Sequence, residues 1–204
     1  MMKSLVKMSV CALTLLIASC GGGRRPHYYA LEIPPAPDRT LIDPRFPGIL
    51  AVSRLEAPSY LRQGRIVYRE TPEEVGFYDY HRWAAEPAET VTTAMIEALR
   101  SSRLFSSVKR YDGHSQQDYL LVGRIERLEE IDYGGPVRVE AQISAELLNL
   151  RTGAIEWTGK APQVLNVDNR NVDSVVRAMN GAVQNGIDQL MASLNQRFSV
   201  SGSR

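Results

Sequence analysis

The sequence predicts one α+β domain, a mostly antiparallel or mixed β-sheet with two helices packed on one face. Three observations carry this. Residues 137–147 alternate without interruption: Val137, Val139, Ala141, Ile143, Ala145 and Leu147 point one way, and Arg138, Glu140, Gln142, Ser144 and Glu146 the other. That is a long strand with one buried and one wet face. The turn sequence Asn149-Leu150-Arg151-Thr152-Gly153 then leads into a partner strand over 154–164, with Gly153 free to adopt positive φ and Trp157 as a core anchor. Two further segments, 86–102 and 172–195, place apolar residues three and four apart.

Each element follows from local pattern. Tyr28 to Leu31 reads as a short strand, and the proline-rich stretch after it, up to Gly48, is extended or turn-like. Ile49–Leu55 is β-type. Arg65–Glu70 and Val75–Tyr80 form a hairpin around Thr71-Pro72. Pro87 suits the first turn of the helix over 86–102, whose buried stripe is Val91, Met95, Ala98 and Leu99. Val108–Tyr111 is a short strand. Tyr119–Leu128 is a longer one whose apolar phase shifts near Gly123, which indicates a bulge. The closing helix buries Val172, Val176, Met179, Val183, Ile187, Leu190 and Leu194, and residues 199–204 form a frayed tail. The domain therefore spans 28–198.

The first residues form an address. Lys3 and Lys7 precede the apolar run Met8–Ile17, about half the length of a membrane-spanning helix. The run ends Ile17-Ala18-Ser19-Cys20, a bacterial lipobox: an aliphatic residue, two small ones and the cysteine that carries lipid. Residues 1–19 are thus expected to be a lipoprotein signal peptide cut between Ser19 and Cys20. Cys20 would bear N-acyl and S-diacylglycerol groups, and residues 20–27 would be a tether. Gly21–His27 reaches at most about 25 Å. Gly21, rather than aspartate, after the lipidated cysteine points to the outer membrane. Cys11 leaves with the signal, so the mature chain keeps no free thiol.

Composition argues against several classes. With 24 basic and 23 acidic residues among 204, no basic field favours nucleic acid. His27, His81 and His114 lie far apart without metal-ligand spacing, and there is no nucleophile elbow, P-loop or dinucleotide fingerprint. Glu73-Glu74, Glu126, Glu129 and Glu130 read as solvated carboxylates at strand ends. The reading is of a protein with no catalytic residue, metal or further cofactor. What stands out is an aromatic and arginine concentration from Tyr60 to Trp83, the residue types enriched in interface hot spots. Tyr68, Arg69, Tyr80, Arg82 and Trp83 are the candidate partner-binding residues, with packing inside the hairpin as the alternative role.

At these residues a family resemblance enters. The lipobox, Tyr28-Tyr29-x-Leu31, Arg65-Ile66-Val67-Tyr68-Arg69, and Tyr80-x-Arg82-Trp83-Ala84-x-x-Pro87 ahead of a helix ending Ser102-x-x-Phe105 occur in this order. The chain resembles the ABC-type transport auxiliary lipoproteins of the PqiC/YmbA type along nearly its whole length. The resemblance implies a non-enzymatic part of a lipid transport system in the cell envelope. Its partner would be a mammalian-cell-entry (MCE) domain protein, whose rings form conduits between the two membranes of Gram-negative bacteria. The lipoprotein would face the periplasm from the outer membrane and dock the conduit there, as a homo-oligomer matching a symmetric partner. The alternative is a stand-alone lipoprotein that binds lipid in an apolar pocket.

Overall fold

The computed structural model describes residues 24–34 and 46–201. The expected signal peptide 1–19 with its cleavage residue Ser19, the expected lipid-bearing Cys20, residues 21–23, residues 35–45 and the last three residues lie outside the described residues.

Among the described residues, eight strands and two helices follow in chain order: β1 His27–Tyr29, β2 Phe46–Val52, β3 Arg65–Arg69, β4 Gly76–Trp83, α1 Pro87–Ser102, β5 Phe105–Arg110, β6 Tyr119–Ile131, β7 Arg138–Asn149, β8 Ile155–Asn166 and α2 Val172–Ser201. The strands make one mixed sheet, so the fold is α+β as predicted. Its spine is the antiparallel ribbon β6–β7–β8. The predicted alternation in β7 holds, with Val139, Ala141, Ile143, Ala145 and Leu147 buried. The turn closes as expected: Gly153 sits at φ 72°, and its N–H donates to the Asn149 carbonyl.

The outer edge of β6 is shared. One stretch of chain, 46–69, runs parallel to it twice. First β2 pairs Leu50–Val52 with Tyr119–Leu121; after a bridge between Glu56 and Arg124, β3 pairs Tyr68 and Arg69 with Glu130 and Ile131. A short 3-10 turn, Ser59–Gln63, fills the gap between them. β5 extends the first pairing, and β4 and then β1 extend the second. The phase shift expected near Gly123 is a register change between Ile125 and Arg127, slightly further along.

Both helices bury their stripes in one common core. Thr92 on α1 donates to the Ala88 carbonyl (2.6 Å) and accepts the Leu55 N–H (2.9 Å), locking α1 to the chain leaving β2. α1 ends where Arg103 takes the left-handed conformation at φ 55°. α2 starts at an Asn171 cap whose side chain accepts the Ser174 N–H. Gly159 is required by packing: a Cβ there would meet the Trp157 ring at 2.2 Å and Leu190 of α2 at 2.8 Å. Trp157 reaches α2 and donates from Nε1 to Ser193 Oγ.

Several boundaries differ from the sequence reading: β6 runs on to Ile131 rather than ending at Leu128, and β2 spans Phe46–Val52 rather than Ile49–Leu55. β5 begins at Phe105 rather than Val108, because Phe105 packs on Tyr119 across the sheet (5.4 Å between ring centres). β4 continues to Trp83 instead of stopping at Tyr80, because β1 pairs with its end. α2 runs on to Ser201, past Asn195 and into the segment expected to fray, since no glycine or proline lies between Asn195 and Ser201.

Candidate docking surface

The Tyr60–Trp83 region divides into three environments. Its core-facing side is aromatic. Tyr68 lies over Gly76, where a Cβ would come within 2.4 Å of the ring, and meets Tyr78 edge-on at 5.1 Å. Tyr78 meets His81, which stacks on His27 at 5.3 Å and lies 2.9 Å from the Tyr29 hydroxyl through Nδ1. His81 is therefore a packing residue joined by one hydrogen bond. Burial, then the neighbouring His27, lowers its pKa.

Two buried carboxylates complete this end. Glu130, 5% exposed, accepts a 2.6 Å hydrogen bond from Tyr78; burial is the main force raising its pKa, opposed by that bond. Burial likewise raises the Tyr78 phenol, reinforced by Glu130. Glu129 points to the opposite face, in register with Glu140, yet has no exposed surface. Tyr60 on the 3-10 turn and Arg69 lie over it. Arg69 Nε forms an ion pair with Glu129 Oε1 at 2.9 Å without an aligned hydrogen bond, and both Glu129 oxygens lack one. Burial opposes the Arg69 charge, but Glu129 outweighs it and holds the guanidinium above its ordinary pKa. Arg127, 4.0 Å from Glu129, donates to Glu140 at 2.7 Å, continuing the network across the sheet.

The third environment is open. Tyr80 is 41% exposed and carries the Arg24 guanidinium 5.9 Å above its ring; Arg82 is half-buried.

These positions revise the candidate set. Trp83 is only 5% exposed and belongs to the core, so the expectation of a surface contact by it is corrected: β4 turns its indole toward the helices. Tyr68 and Arg69 are held by internal partners, which leaves Tyr80 and Arg82 presented to solvent. Glu129 and Glu130, read as solvated, are buried. Their signal lay in the flanking Leu128 and Ile131, which bracket them within a strand that has neighbours on both edges.

Elsewhere, a groove of about 350 Å³ runs along α1, lined by Leu31, Ile33, Pro34 and Ala94 among others. A more polar hollow of about 420 Å³ lies on the open sheet face by Arg54, Arg124 and Glu146. Among the described residues no three His, Cys, Asp or Glu side chains gather as a metal site, and no helix is long and apolar enough to cross a membrane.

Comparison with solved structures places the fold. Protein XCC0632 from Xanthomonas campestris, 19% identical, matches 87% of this chain and 98% of its own length with a TM-score of 0.73. A second, uncharacterised protein is 14% identical over 84% of this chain and 99% of its own, with a TM-score of 0.65. CT253 from Chlamydia trachomatis is 8% identical over 76% and 99%, with a TM-score of 0.52. At these identities the likeness is one of fold. No curated protein sequence matches the chain. The profile of the family described as ABC-type transport auxiliary lipoprotein component matches residues 29–191, from the end of β1 to the last third of α2, so the chain belongs to that family.

Proposed function

We propose that this protein is a lipid-anchored accessory of an ABC-type transport system, fixed to the outer membrane through Cys20 and docking an MCE-domain conduit from the periplasmic side. The observation that carries the reading is the family match over 29–191, joined to a lipobox ending at Cys20. The family name calls for a transporter partner. The short tether keeps the domain within about 25 Å of its anchor, so the conduit must come to the membrane. The protein would act by binding alone, as one of several copies around a symmetric partner.

The test is crosslinking in native membranes, followed by affinity purification and mass spectrometry. Recovery of an MCE-domain protein with several copies of the bait is expected. Bait alone in the outer-membrane fraction overturns the docking role. The groove along α1 supports a second reading, lipid binding by the domain itself. Phospholipid co-purifying with the unanchored chain, and lost in Ala94→Trp, would favour it.

A further inference from the structure

Register across three strands builds a cationic row on the face turned away from the helices. Arg65 on β3 is directly opposite Arg82 on β4, and Arg82 is paired with Tyr28 on β1. Because Tyr29 and Trp83 of the same two strands turn inward, Tyr28 and Arg82 turn outward. Tyr28 is 64% exposed, and Tyr80 lies beside the row under Arg24. Like charges directly opposite on paired strands destabilise a sheet. Only Asp79, itself 79% exposed and 4.0 Å from Arg65, offsets them; among the described residues Arg24, Arg25 and Arg82 have no carboxylate within ion-pair distance. The row therefore calls for an external anion.

Its position says which one. Arg24 is four residues after Cys20, a reach of at most about 14 Å. With acyl chains on Cys20, the row cannot leave the headgroup layer's vicinity. We propose that Arg24, Arg25, Arg65 and Arg82, with the Tyr28 and Tyr80 rings, form a membrane-facing surface that binds anionic phospholipid. Arginine supplies charge attraction, and tyrosine suits the interface because its ring is apolar and its hydroxyl wet. This surface turns the domain to a fixed orientation on the bilayer and leaves its other faces for the conduit. The proposal rests on the anchoring of Cys20 and goes beyond it.

The test separates the two. The described core runs from Leu31 to Leu194, so the chain from Cys20 keeps it whole. That chain is coupled through its single thiol to maleimide lipid in vesicles, which makes the vesicle result independent of cellular acylation. Tyr80→Trp is the reporter, Ala192→Trp on the exposed side of α2 the control, and brominated lipid the quencher; emission from Trp83 and Trp157 is subtracted. In vesicles of phosphatidylglycerol and phosphatidylethanolamine the reporter is quenched and the control is not. Quenching fades in pure phosphatidylcholine and in high salt. Each arginine near an anionic surface strengthens association about fivefold, so Arg65→Gln with Arg82→Gln removes most of the quenching, while Arg82→Lys retains it and shows that the fold survives. Equal quenching of reporter and control overturns the proposal. So does a Gln pair that keeps the quenching but loses capture of the MCE-domain protein, which would make the row a protein contact. Intact-mass measurement of the native protein tests the acylation separately.

Discussion

The two ends of β6 do the same topological job with opposite chemistry. At Tyr119–Leu121 the strand accepts β2, and the surroundings are aliphatic: Leu50, Val52 and Leu121 have no exposed surface. At Glu130–Ile131, about 35 Å further along, it accepts β3 among Arg69, Glu129, Glu130, Tyr60 and Tyr78. The first end is stabilised by burial of apolar area, which any well-shaped aliphatic set supplies. The second depends on particular partners, because a buried charge is tolerable only while its counter-charge stays in place. One end is tolerant of substitution and the other is specific. The specific end is the one joined to β1, through the ring contacts of Tyr78 with His81 and of His81 with His27.

The sharpest way to break this contrast is at Arg69. Arg69→Ala strands the fully buried Glu129 and should destabilise the fold by about 3–5 kcal/mol in denaturant titration, whereas Arg69→Met combined with Glu129→Leu should recover most of the loss. If the double variant is no better than the single, the ion pair is a net stabiliser and the contrast weakens. Next in size is Leu121→Ala at the aliphatic end, expected to cost about 3 kcal/mol as a cavity. Combined with Arg69→Ala it should be additive within about 0.5 kcal/mol, since the sites share no partner. Stronger coupling would mean that the two ends open as one unit. Thr92→Val, between them, leaves the Leu55 N–H without its acceptor and should cost about 1–2 kcal/mol.

The same division governs what can be read without a structure. β7 and its turn were legible because period-two alternation and Asn149–Gly153 are local signals. α1 and α2 were legible because their stripes repeat. The forked edge of β6 was not, since the short pairings of β2 and β3 carry no pattern of their own. Glu129 and Glu130 misled for a related reason: charge at a strand end normally means solvent, and only the arrival of Tyr60, Arg69 and Tyr78 from elsewhere in the chain makes it burial. Of the candidate docking residues, Tyr80 and Arg82 are presented and Trp83 is not. The aromatic–arginine signal located the region, but strand parity decides which side chains turn outward.

The smallest effect is the most specific to the polar end. Burial raises the Glu130 pKa above the ordinary carboxylate value of about 4.5, so between those two values the folded chain holds more protons than the unfolded chain. Stability contributed by this group is thus complete below the ordinary value and declines as pH rises through the folded one. His81 has the opposite sign: its pKa is depressed, so the unfolded chain binds more protons, and stability falls as pH drops below about 6.5. The two groups pull the pH dependence of the parent protein in opposite directions. Glu130→Gln, which keeps an acceptor for the Tyr78 hydroxyl, removes one of them. The stability of the parent minus that of the variant should then fall as pH rises above about 4.5 and level off once Glu130 is ionised in the folded chain as well. A difference that stays flat across this range would show that Glu130 ionises as freely in the folded chain as in the unfolded one, and the polar end would then be solvated rather than buried.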